Sequence, residues 1–214
     1  MHEHTLYTFP FSSALSVRWT LLQYQVPSRV VWLQRGQDRR MHEPSLTAMN
    51  AKQKVPVLVS PDGEVLTELV GILLYLEETY GPERTPPMRR RLIECLAHLA
   101  TDLHQQILGP LFDPGTPPEA QAHARQRLLP QVLDTFEDLL SAQETLLGGP
   151  AGAADNYLMW GLVLLGYRWP ELVQRPAIGA FMQRMMQSPW VLEGLTAERE
   201  QYAQQESALS ASQG

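Results

Sequence analysis

The chain has 214 residues, a length that suits one or two domains and a core that needs no covalent staples. Hydrophobic residues make up 44% and charged residues 19%, which excludes wholesale disorder, and 17 Lys and Arg against 23 Asp and Glu leave a formal charge of −6, which argues against a dedicated nucleic-acid surface. The single cysteine, Cys95, excludes an intramolecular disulfide and a multi-cysteine zinc site, and the longest apolar stretch, residues 158–167, falls far short of the ~20 residues that span a bilayer. No membrane partner is expected. The first residues, MHEHTLYTFP, carry neither the basic nor the apolar segment of a secretory leader, so the expected compartment is the cytoplasm.

In chain order, residues 5–9 (TLYTF) and 29–33 (RVVWL) read as strands. Between them, residues 13–25 place Leu15, Trp19 and Leu22, with Val26 just beyond, at helical spacing, which predicts a parallel βαβ unit. Residues 37–50 are polar and weakly helical. Residues 55–60 (VPVLVS), a Pro-Asp-Gly-Glu turn and residues 65–67 predict a hairpin. A helix follows with Leu69, Ile72, Leu73 and Leu76 on one face, Thr67 as its expected N-cap and Gly81 as its expected stop. Residues 81–87 (GPERTPP) read as a linker. Beyond Met88 every segment is helical in pattern: 88–108, 118–147, 153–167, 176–187 and 189–205, with a frayed SALSASQG tail. The expected organisation is 1–81 as an α/β domain, 82–87 as linker and 88–214 as an all-helical domain.

Residues 54–68 (KVPVLVSPDGEVLTE) with the following apolar helix resemble the glutathione transferase superfamily. The resemblance extends upstream through FPFSSALSVRW, which looks like the first strand and helix of bacterial members, and downstream through GGPAGAADNYLMWGLVL, which resembles the capped helix of their helical domain. It implies an α/β thioredoxin-like N-terminal domain followed by an all-α helical-bundle C-terminal domain, usually as a homodimer. It also implies glutathione as co-substrate, no metal, and nucleophilic attack of the glutathione thiolate on a small hydrophobic electrophile in detoxification. The electrophile would occupy an apolar cleft around residues 103–112. A glutathione-dependent isomerase or lyase uses the same parts, and the same fold also serves as a non-catalytic interaction scaffold.

The resemblance assigns the site residue by residue. Val55 and Pro56 form the Val-Pro pair whose bond is cis in the family; Val55 N–H and C=O would pair with the tripeptide backbone like an added strand. The alternative is a plain edge-strand proline. Glu68 matches the acid that binds the α-ammonium of the γ-glutamyl group, although a glutamate at a helix start is also favoured by the helix dipole alone. The family's next residue is a serine that binds the carboxylate. Here it is Leu69, which retains only its backbone N–H, a loss of roughly 1.5–3 kcal/mol for one charge-assisted hydrogen bond. Lys54 and, on the second helix, His42 with Arg39 and Arg40 match positions that face the glycine carboxylate; a solvated basic face is the alternative.

The reaction needs a thiolate. A free thiol titrates near ~8.5, so ionising it at neutral pH takes about two pKa units, or ~2.7 kcal/mol. A helix N-terminus supplies about 0.3–2 kcal/mol and a donating hydroxyl about 1.5–3 kcal/mol; together they suffice. Ser12, or Ser13 if the register shifts by one, occupies that strand–helix junction, with Tyr7 as a weaker third choice, and both serines would equally suit as helix caps. No cysteine lies in this region, unlike the thiol-transferring branches. Asp155 matches the acid of the capping motif with Gly152 in first place, a folding role. Cys95 reads as a small buried hydrophobe. His98 and His104, six apart, do not share a helix face and predict no metal site. Trp160, Tyr167 and Trp169 read as core.

Overall fold

A computed structural model describes residues 3–34 and 43–211. The elements run β1 (His4–Thr8), α1 (Ala14–Gln23), β2 (Ser28–Trp32), α2 (Pro44–Met49), β3 (Val57–Val59), β4 (Val65–Thr67) and α3 (Leu69–Tyr80). Helical segments follow: α4 (Pro86–His98), a π-helical stretch Leu99–Leu108, α5 (Gly109–Phe112), α6 (Pro118–His123), a second π stretch Ala124–Leu128, α7 (Leu129–Ala142), α8 (Ala153–Arg168), a 3₁₀ turn Pro170–Val173, α9 (Pro176–Met186) and α10 (Pro189–Ala211). The chain packs into two compact units, Met1–Gly81 with Gln187–Gly214, and Pro82–Met186.

In the first unit four strands form one sheet of order β2-β1-β3-β4. β1 and β2 pair in parallel, as a right-sized βαβ crossover demands, and β3 runs antiparallel to both β1 and β4. The hairpin strand is shorter than the sequence pattern suggests. Val55 and Pro56 precede β3 because a proline offers no ladder N–H.

Helix α1 is buried on nearly every face because β1, α3 and α10 all pack against it. Its polar residues survive burial by bonding to the preceding turn: Ser16 Oγ donates to Ser13 O at 2.7 Å and Thr20 Oγ1 to Ser16 O at 2.8 Å. Fully buried Trp19 donates its indole N–H to Val191 O at 3.2 Å. A Cβ at Gly194 would overlap that indole ring, so only glycine lets α10 approach so closely.

Two local expectations need correction. Thr67 stays in β4, paired with Val57, and so cannot cap α3; Glu68 is the N-cap, with φ of 67°. Gly81 does end α3, but in extended backbone; it is required because a Cβ would lie 2.5 Å from Glu77 O. The tail expected to fray is helical as far as Ala211, with Ser207 and Ser210 hydroxyls bonded to carbonyls four residues back.

In the second unit α8 is the central helix, buried from Ala153 to Leu162 on every side. Asp155 anchors its start: one carboxylate oxygen accepts from Gly152 N at 2.9 Å and the other from Leu146 N at 2.8 Å, both buried. Glu137 of α7 caps α9 through Ala177 N (2.9 Å) and Ile178 N (3.0 Å). The wide π turn keeps Leu99, Leu103 and Ile107, spaced by four, in the core. Trp160 is buried, but Tyr167 is 90% exposed and Trp169 is half-buried under the Arg125 and Arg168 guanidiniums. Tyr167 follows buried Leu165 by two positions, which turns it to the opposite face of α8.

Candidate active site

Sheet register brings three separate segments to one end of the first unit. Tyr7 pairs with Val57, so the end of β1 lies beside the Val55–Pro56 segment that leads into β3. Val57 also pairs with Thr67, so Glu68, just after β4, lies at that same end. The turn from β1 into α1, residues 9–13, completes the group. Phe9 and Val55 pack together on the Leu33, Leu46 and Val57 cluster beneath.

The Val55–Pro56 peptide is cis, with Pro56 buried and Val55 half-buried. Val55 N–H and C=O make no hydrogen bond among the described residues, leaving a short unpaired edge. Lys54 is exposed; its carbonyl accepts from Asn50 Nδ2 at 2.9 Å. Glu68 is exposed and ion-paired with Lys52, while its carbonyl accepts Ile72 N at 3.0 Å as the first bond of α3. Leu69 is buried and contributes only its helix-terminal N–H. His42, like Arg39 and Arg40, lies outside the described residues.

At the α1 end the two serines differ. Ser12 is buried and its Oγ lies 3.0 Å from Thr8 Oγ1, so its hydroxyl is engaged by β1. Ser13 is the N-cap residue of α1 with helical φ and ψ, and its hydroxyl caps no N–H. Neither serine therefore caps the helix through its side chain. Tyr7 lies within β1, half-buried against the Leu33, Leu46 and Val57 cluster.

The turn that presents these serines is held from 187 residues away. Phe11, at φ 58°, donates its N–H to Glu198 Oε2 of α10 at 2.5 Å. Glu198 is fully buried, and burial pushes its carboxyl up to about 7, against the opposing pull of the Phe11 N–H and the Arg18 guanidinium. Its other oxygen has no hydrogen-bond partner among the described residues. Burial likewise lowers Arg18, which stacks on the Trp32 ring at 5.3 Å. Local sequence carries no sign of this anchor: Phe11 lies within the FPFSSALSVRW segment, but nothing in that segment points to Glu198, which lies in no motif.

Of the four non-glycine residues with left-handed φ among those described, Phe11, Gln53 and Glu68 flank this end of the sheet. Backbone held in such conformations costs of order 1–3 kcal/mol each and clusters at ligand sites. Glycine would have betrayed these turns in the sequence; Phe, Gln and Glu do not.

In the second unit, within the 103–112 stretch, His104 Nδ1 lies 2.7 Å from the Tyr157 hydroxyl, and its ring meets Trp160 edge to face at 4.7 Å. His98 pairs with Asp102 at 2.6 Å, so the two histidines serve separate contacts. Cys95 is half-buried, its thiol pushed up to about 11 by burial.

A mixed four-stranded sheet of this order, flanked by helices and followed by a long all-helical region, is a thioredoxin-like domain joined to a helical domain. Residues 11–79 match the family described as Glutathione S-transferase, N-terminal domain. The chain is 36% identical over 162 residues to the glutathione S-transferase GstA of Escherichia coli O157:H7, covering 71% of this chain and 77% of that one. A glutathione transferase from Methylococcus capsulatus str. Bath superposes with a TM-score of 0.83 at 30% identity, over 91% of this chain and 98% of its own. A sphingomonad glutathione S-transferase solved in complex with glutathione gives 0.81 at 29% identity, with the same coverage. The chain belongs to the glutathione transferase superfamily and is an enzyme of that superfamily.

Proposed function

We propose that this enzyme binds reduced glutathione at the end of the sheet formed by residues 9–13, 54–56 and 68–69, and conjugates it to a small hydrophobic electrophile. Three segments distant in sequence converge there, each offering the chemistry that one part of the tripeptide needs, and this convergence carries the reading. The Val55 N–H and C=O, without hydrogen-bond partners among the described residues, pair with the cysteinyl backbone as an added strand. Glu68 takes the α-ammonium, Lys54 and His42 the glycine carboxylate, and the Leu69 N–H at the α3 terminus contributes to anion binding.

The thiol falls beside the first turn of α1. Ser13, whose hydroxyl is not spent on capping, donates to the thiolate, while Ser12 braces the turn through Thr8. The thiol proton leaves to solvent, the sulfur lone pair forms the new S–C bond, and the electrophile's leaving group departs with its bonding pair, or its double bond takes up a proton. Proximity and the lowered thiol pKa supply the rate. The working enzyme is a cytoplasmic homodimer acting in detoxification.

Calorimetric titration with reduced glutathione tests the binding site: saturable binding abolished by Glu68→Ala supports it, and no binding at millimolar ligand refutes it. With an activated aryl halide, Ser13→Ala should lower kcat/KM by about 10- to 100-fold, the equivalent of one charge-assisted hydrogen bond. Its pH profile should move to higher pH while the glutathione Kd stays within a few-fold. An unchanged pH profile would remove Ser13 from the thiolate.

A further inference from the structure

The Lys52–Glu68 ion pair lies at this end of the sheet, and the site as described leaves Lys52 unused. The two side chains lie 16 residues apart in sequence, and both remain accessible, 62% and 67% exposed. Their backbones are nonetheless anchored. Lys52 N donates to Asn50 Oδ1 at 3.1 Å, while the same buried Asn50 donates through Nδ2 to Lys54 O, so one side chain clamps the loop on both sides of Lys52. Gln53, at φ 52°, turns the chain immediately afterwards. Glu68 is held by its own left-handed φ and by its carbonyl's bond to Ile72 N.

We infer that Lys52 is a second recognition residue for the γ-glutamyl head of glutathione, taking its α-carboxylate while Glu68 takes its α-ammonium. This inference rests on the role proposed for Glu68. An α-amino-acid head is a compact zwitterion, and a lone carboxylate complements only half of it. The residue after Glu68 is Leu69, whose apolar side chain is buried and offers no donor. A cation already resting against Glu68 supplies the missing charge at the right separation, because an ion pair and a zwitterion can lie head to tail, each charge facing its opposite. Because the pair is exposed, its own bond is weak and opens readily to admit the ligand.

The test is calorimetry on the whole protein with two ligands: reduced glutathione, and γ-aminobutyryl-cysteinyl-glycine, which keeps the terminal ammonium but lacks the α-carboxylate. Lys52→Met should weaken glutathione binding roughly tenfold, the scale of one charge-assisted contact at an accessible site. Lys52→Arg should stay within about twofold of wild type, and Lys52→Met should leave the carboxylate-free ligand's affinity unchanged. Equal or tighter glutathione binding by Lys52→Met would overturn the inference, since Lys52 would then be only a competitor for Glu68. An equal loss for both ligands would overturn it as well. Glu68→Gln in parallel isolates the underlying reading: if that variant binds glutathione normally, the role of Glu68 fails, whatever Lys52 does. Far-ultraviolet circular dichroism confirms that each variant is folded.

Discussion

Replacing Glu198 by glutamine should change the pH dependence of stability in a way fixed by its burial. The carboxyl is fully buried and titrates near 7 in the folded protein, against an ordinary value of 4.5. The folded state therefore holds this proton to higher pH than the unfolded chain does. The stability contributed by the protonated carboxyl is complete below pH 4.5 and is lost as pH rises through 7. At 1.36 kcal/mol per unit, a shift from 4.5 to about 7 corresponds to about 3 kcal/mol. Glutamine keeps an oxygen for Phe11 N–H but cannot ionise. Urea unfolding at a fixed protein concentration, from pH 4.5 to 8, should show Glu198→Gln gaining about 3 kcal/mol relative to wild type across that range. His4, whose pKa burial lowers, adds a slope of opposite sign in both proteins, and this cancels in the difference. A difference that stays flat with pH would refute the reasoning and mean that Glu198 is ionised throughout.

Asp155→Ala removes both acceptors of the buried Leu146 and Gly152 amides and should destabilise the protein by about 2–4 kcal/mol, read as a lower urea midpoint with m unchanged; a loss under 1 kcal/mol would count against the anchor. The Cys95 thiol, raised from 9.0 to about 11, should react with iodoacetamide at pH 8 roughly a hundredfold more slowly in the native than in the urea-unfolded protein. Comparable rates in both states would show the thiol to be accessible and unshifted.

Much of the fold was legible because its signals are local. The Leu69, Ile72, Leu73, Leu76 spacing announced α3, and Val65–Thr67 opposite a Pro-Asp-Gly-Glu turn announced the hairpin. The order β-α-β-α-β-β-α followed from the alternation of such runs. Where a local preference competed with pairing, pairing prevailed: Thr67 suits an N-cap but remains in β4, where its ladder bonds to Val57 hold it. The site was legible only as segments. Val55-Pro56 and Glu68 stood out by pattern, whereas the turns at Phe11, Gln53 and Glu68 were hidden because no glycine marks them. Lys52 carries no mark in the sequence, since charge alone does not say which of two nearby lysines reaches Glu68.

Sequence by itself determined the element order, the α/β half followed by an all-helical half, and the motif residues from which the chemistry was read. These are matters of period and residue type, which act over a few positions. Tertiary structure alone decided that Glu198 holds the Phe11 turn, that α10 closes over α1 through Trp19 and Gly194, and that Lys52 pairs with Glu68. The first two join residues far apart in the chain, and their partnership arises from how packed surfaces exclude water and leave a polar group one available partner, a condition no local window contains; Lys52 and Glu68, both exposed, meet because the pairing of Val57 with Thr67 sets the loop before β3 beside the end of β4.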